Sequence, residues 1–111
     1  ELHRAVRLVV DSGIHYKKWS REDAIAYALA NTAETPGAIE KAMSRYVIFP
    51  GQATAYMIGR LKISELRARA EAALGPKFDI KAFHDVVLTN GAVPLDVLES
   101  NVDAWIAATK A

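Results

Sequence analysis

The hydrophobic positions of this chain recur at helical spacing almost from its first residue, and nowhere with the alternation of a strand. In ELHRAVRLVVDSGIH, Leu2, Ala5, Val6 and Val9 share one side, which predicts an amphipathic helix over about residues 1–15, weakened or ended by Gly13. Ser20-Arg21-Glu22-Asp23 has the form of a capping box, Ser20 as N-cap and Asp23 three residues on, and opens a helix to about Asn31. Thr35-Pro36 repeats the start signal, with Thr as cap and Pro at the first helical position. That third helix carries Ile39, Ala42, Met43 and Tyr46 toward Phe49, and Pro50 closes it.

The longest helix is predicted from about residue 51 to 74, with Gly75-Pro76 as its stop. Asp79 caps IKAFHDVVLT, Gly91 ends it, and Pro94 opens a last helix striped by Leu95, Leu98, Val102, Trp105 and Ile106. The expected fold is all-α: about six helices with short connections, one long central helix, and residues 1–111 as a single helical domain. The helical pattern is already under way at Glu1 with no capping residue ahead of it, so the expectation is either that a few residues are trimmed or that the chain is cut from something longer.

Composition narrows the classes of function. Lys and Arg number 14 against 13 Asp and Glu, and no segment concentrates basic residues with aromatics, so nucleic acid is not expected as a partner. The absence of Cys excludes disulfides, thiolate metal sites and a Cys nucleophile. YVIFPGQATAYMIG, residues 46–59, is the most apolar stretch, but Pro50-Gly51 interrupts it and Arg60 follows, which argues against a membrane span. The three His residues are well separated and no HExxH helix is present, so no metal site is expected within this chain. P-loop, GxGxxG and G-x-S-x-G motifs are all missing.

Two polar constellations stand out. Gln52, Tyr56, Gly59, Ile63, Leu66, Ala70 and Ala73 lie on one face of the long helix, so Gln52 and Tyr56 are expected to point inward. They either satisfy buried backbone groups or line a cavity, where a Tyr hydroxyl donates to a substrate oxygen. Arg4, Arg7, Asp11 and His15 form a polar stripe on the first helix, with Arg7–Asp11 and Asp11–His15 at i, i+4. That stripe is either a solvated face of weak ion pairs or a set in which arginines hold a carboxylate and Asp11 orients His15. His3 and His84 are assigned no chemistry, and Trp19 and Trp105 are expected to anchor core or interface.

RAVRLVVDSGIHYKKWSREDAIAYALANT, RYVIFPGQATAYMIGRLKISELRARAEAALG and FDIKAFHDVVLTNGAVPLDVLE together resemble the bacterial family called domain of unknown function 885, RLVVDSGIH and YVIFPGQATAYMIG most specifically. The resemblance is to the C-terminal end of much longer proteins. Their upstream part carries a His-Glu-x-x-Pro-Gly-His-His motif and a Glu-Gly-Trp segment, neither found here. The resemblance implies a zinc peptidase of the gluzincin kind, often exported or lipid-anchored, with zinc held by the longer protein and no cofactor within this chain. It further implies that this part, inactive alone, supplies substrate-facing groups. His15 and Tyr56 would steady the oxyanion, with Tyr46 as a substitute. Arg4 or Arg7 would bind a peptide carboxylate, and Gln52 would orient Tyr56. The alternative is an autonomous helical module that self-associates without catalysis. The expected partners are accordingly the upstream catalytic part or a second copy of the chain.

Overall fold

A computed structural model describes residues 1–111, and the chain is all-α. Helix α1 spans Leu2–His15, α2 Arg21–Asn31, α3 Pro36–Ile48, α4 Ala55–Leu74, α5 Ile80–Thr89 and α6 Leu95–Lys110. Single 3-10 turns at Gln52–Thr54 and Gly75–Lys77 abut the two ends of α4, so helical backbone runs over 52–77 as the long helix expected. No helix is long and apolar enough to cross a membrane.

The helix starts follow from their caps. Ser20 Oγ accepts from Asp23 N at 3.0 Å while the Asp23 carboxylate accepts from Ser20 N at 3.3 Å, completing the capping box. Thr35 Oγ1 accepts from Ala38 N at 3.3 Å, and Asp79 Oδ1 accepts from Lys81 N at 2.9 Å. Each such bond removes an orphaned N–H at a helix start and stabilises it by about 1 kcal/mol.

The chain comprises two compact units, Glu1–Ile58 and Gly59–Ala111. The first is built on Val6 and Val10 of α1, Ala24 and Ala28 of α2, Ile39, Met43 and Tyr46 of α3, and Ala53 of the first 3-10 turn. The inward face of α1 differs from the one expected. Val6, Val10, Asp11 and Gly13 are buried, whereas Leu2 and Val9 are 63% and 38% exposed. Leu8, Val9 and Val10 are consecutive, so apolar spacing alone leaves the rotation of this helix undetermined by about one position.

Gly13 does not end α1; it lies within it, buried. After α1 the chain turns back through Lys18, whose φ of 56° is left-handed, and Trp19 N donates to Gly13 O at 2.9 Å. The Trp19 indole then lies on Gly13, where a Cβ would come within 2.4 Å of its ring carbons. Trp19 also packs on Tyr27, with ring centroids 5.4 Å apart.

The second unit packs Leu66, Ala70 and Leu74 of α4 on Phe83 of α5 and on Leu98, Val102 and Ile106 of α6. Phe78, Phe83 and Trp105 form an aromatic cluster with centroids 6.1–6.3 Å apart, so Trp105 is a core anchor as expected. Over this core Arg69 bridges Glu99 at 2.6 Å, Glu65 at 2.9 Å and Asp103 at 3.0 Å, and Lys62 reaches Glu99 at 3.0 Å. Hydrogen bonds from Arg69, and next from Lys62, hold the Glu99 carboxyl below the usual carboxylate range.

Replacing Gly by Ala inside a helix normally gains about 1 kcal/mol. At Gly13 the rigid indole occupies the space of the new methyl, so Gly13→Ala is expected to destabilise the first unit by about 1–3 kcal/mol. Urea denaturation followed by Trp fluorescence checks this, and a variant as stable as the parent would contradict the packing described.

Candidate functional site

The first unit's polar groups converge where α3 ends and the long helix begins. Helix α3 stops at Ile48, and Pro50 removes one donor before Gly51 takes up a left-handed conformation, φ 82° and ψ −18°. Gly51 N is turned into the first unit, where both oxygens of Asp11 accept from it at 3.2 and 3.1 Å. Asp11 is the buried charged side chain of this fold, 3% exposed. Thr54 N and Thr54 Oγ1 both donate to Gly51 O, at 3.1 and 2.6 Å, closing the 3-10 turn that carries Gln52.

A second brace runs from the same face of α1. His15 Nε2 lies 2.9 Å from Tyr46 O. A carbonyl only accepts, so Nε2 carries the hydrogen and donates it. Tyr46 O belongs to the last turn of α3, where carbonyls lack helical partners, and His15 satisfies one of them.

Between these braces Arg7 lies over two aromatic rings, 4.5 Å from the centroid of Tyr56 and 5.7 Å from that of Tyr46. Arg4 approaches the Tyr56 ring at 6.0 Å. Arg7 Nη2 donates to Gln52 Oε1 over a long 3.5 Å, and Gln52 Nε2 donates to the Tyr56 hydroxyl at 3.1 Å. The order is forced, because a guanidinium has no acceptor and the amide oxygen must therefore face it. The phenol oxygen thus receives a hydrogen bond and keeps its own hydrogen free to donate. Arg7 Nε is buried with no partner.

The two tyrosines are set apart electrostatically. The hydrogen bond from Gln52, with the nearby Arg7 charge, lowers the pKa of Tyr56 below that of an ordinary phenol. Burial raises that of Tyr46, against the pull of Arg7 and Arg45. Tyr56 is 44% exposed, an acidified phenol donor beside a guanidinium at an open surface. Such a pair suits an oxygen that carries or develops negative charge, whether a carboxylate or an oxyanion.

Of the residues singled out in the sequence, Arg4, Arg7, Gln52 and Tyr56 are brought together, and Gln52 orients Tyr56 through the bond described. Three expectations need correction. Gln52 and Tyr56 do not point inward: both lie on the exposed side, because the buried face of α4 does not extend back past Leu66, and even Ile63 on that face is exposed. Asp11 is neither solvated nor bonded to His15; its carboxylate goes to Gly51. His15 directs Nε2 to the Tyr46 carbonyl.

The sequence reading missed Tyr46 as the second ring against Arg7, since contacts between helices far apart in sequence leave no local pattern. It also missed the part played by Gly51, for which the Pro-Gly pair was a usable signal. No three His, Asp or Glu side chains converge to hold a metal ion, and His3 is paired with Glu34 at 2.7 Å. The donors present do not fit zinc.

The sequence that builds this fold matches a family model. Residues 1–102 fit the family described as bacterial protein of unknown function (DUF885), and the chain belongs to that family. It is also similar to a crystal structure of a "putative lipoprotein" from Colwellia psychrerythraea, at 51% identity and a TM-score of 0.94. That match covers 96% of this chain but 18% of the other, so the chain spans less than a fifth of that protein's length. No curated protein matches significantly.

The opposed shifts of the two phenols predict their order of ionisation: Tyr56 gives up its proton at lower pH than Tyr46. Ultraviolet titration of Tyr56→Phe should remove an early tyrosinate step, and Tyr46→Phe a late one. Loss of a late step in Tyr56→Phe would contradict the Gln52–Tyr56 arrangement.

Proposed function

We propose that this segment provides the substrate-facing wall of a metal-dependent peptidase whose metal centre belongs to the longer proteins of its family. The observation that carries the reading is the relay Arg7–Gln52–Tyr56, which leaves one phenol hydrogen directed to no protein group while a guanidinium lies beside it. In this reading Tyr56 donates to the oxygen of the scissile carbonyl as it gains charge, Gln52 holds the phenol, and Arg4 and Arg7 hold a substrate carboxylate. Asp11 and His15 act indirectly, by fixing the turn and the end of α3 from which Gln52 and Tyr46 project. Zinc, which the family resemblance implies, would supply an activated water in the longer protein. Export as a lipoprotein is proposed on the same footing, supported by the likeness to the Colwellia lipoprotein structure.

A second reading is favoured by one observation: Val47, Ile48 and Phe49 are exposed in succession at the end of α3. A helical module with such a patch would pair with a second copy of itself. Sedimentation over a concentration series separates the two readings, because the peptidase reading does not need a dimer.

In a longer family member that carries this segment, Tyr56→Phe should lower kcat on peptides by about 10²–10³-fold with little change in KM. Arg7→Ala should chiefly raise KM. The 111-residue chain itself should neither hydrolyse peptides nor bind zinc stoichiometrically. An unchanged kcat for the Phe variant would overturn the role given to Tyr56.

A further inference from the structure

A separate feature of the first unit lies between the end of α1, the α1–α2 connection and α3. A pocket of about 440 Å³ is lined by Ile14, Trp19, Arg21, Met43, Ser44 and Val47. It shares no lining residue with the Arg7–Gln52–Tyr56 constellation. Its size and its mostly apolar lining with few polar groups are those of small-molecule sites.

The aromatic wall is built rather than incidental. Trp19 is seated on the bare Cα of Gly13, and the turn that delivers it puts a lysine, Lys18, into a left-handed conformation. Non-glycine residues adopt that conformation uncommonly and at a cost in energy. Met43 offers an adaptable thioether surface opposite.

The charge in the lining, that of Arg21, indicates what would enter, and the chain around it is basic. Lys17, Lys18 and Arg21 crowd five residues and form no ion pair. Of the two acids that follow, Asp23 is committed to capping Ser20, which leaves Glu22. The Ser44 hydroxyl hydrogen is turned to Glu40 O at 3.3 Å, so Arg21 remains the charged donor of the lining. A planar guanidinium suits a carboxylate, and a flexible unbranched chain conforms to a space bounded by Trp19 and Met43.

We propose that this pocket binds a small amphipathic carboxylate, a free medium-chain acyl acid, with its chain between Trp19 and Met43 and its carboxylate on Arg21. Recognition is by the apolar chain for affinity and by the guanidinium for the choice of head group. The site is independent of any peptidase role and stands or falls separately from it.

The test is a heteronuclear NMR titration of the 111-residue chain with octanoate, with octanol and octylammonium as head-group controls. Octanoate should shift the Trp19 indole N–H and the methyl groups of Ile14, Met43 and Val47. Affinity should rise roughly fourfold per added methylene from hexanoate to octanoate. Arg21→Ala should weaken octanoate about tenfold and leave octanol unchanged. Val47→Glu, at an exposed edge of the pocket, should abolish octanoate binding while the spectrum elsewhere stays that of the folded chain. Octanol binding as tightly as octanoate, shifts scattered away from the pocket, or no shift at all would each overturn the proposal.

Discussion

The pairing of the buried Asp11 carboxylate with the Gly51 N–H is the constraint on which the arginine–tyrosine surface depends. A buried carboxylate is unfavourable unless its oxygens are hydrogen-bonded, and both oxygens of Asp11 reach the same backbone donor. The bond fixes a left-handed residue directly after a proline, and so fixes where the 3-10 turn and the long helix begin. Gln52 is the next residue and Tyr56 follows one helical turn later. Their meeting with Arg7 is therefore a consequence of where Asp11 holds the backbone. Together with the His15 bond to the Tyr46 carbonyl, it makes α1 the element from which the site is positioned.

The two units are held by different means. In the first, small buried residues such as Ala24, Ala28 and Ala53 contribute to the core, and polar braces set the geometry. The second relies on an aromatic cluster of Phe78, Phe83 and Trp105, under a surface network centred on Arg69. The polar braces and the cation–π contacts belong to the first unit.

Local chemistry made the fold legible. Ser20 with Asp23, Thr35 with Pro36, Asp79, and Gly75-Pro76 each act within a few residues, so the helix boundaries could be read from neighbours in sequence. What depended on distant contacts could not. Nothing adjacent to Gly13 announces that Trp19 will cover it, and three consecutive apolar residues left the rotation of α1 undetermined. The long helix is apolar on several sides, so the face that buries Leu66 and Ala70 was wrongly extended to Gln52 and Tyr56. The candidate residues were legible as two separate polar groups, one on each helix. Arg4, Arg7, Gln52 and Tyr56 were visible as polar groups at regular helical spacing, whereas the burial of Asp11 and the second ring from Tyr46 required the fold.

The most direct measurement is a structure and a denaturation curve of Asp11→Ala. Without the carboxylate the Gly51 N–H is left without its partner, and the first unit should lose about 1–3 kcal/mol. The turn at residues 50–54 should shift, and Tyr56 should leave the Arg7 guanidinium. A variant of unchanged stability, with Arg7 still 4.5 Å from the Tyr56 centroid, would contradict the account, because the site would then be set by something other than Asp11.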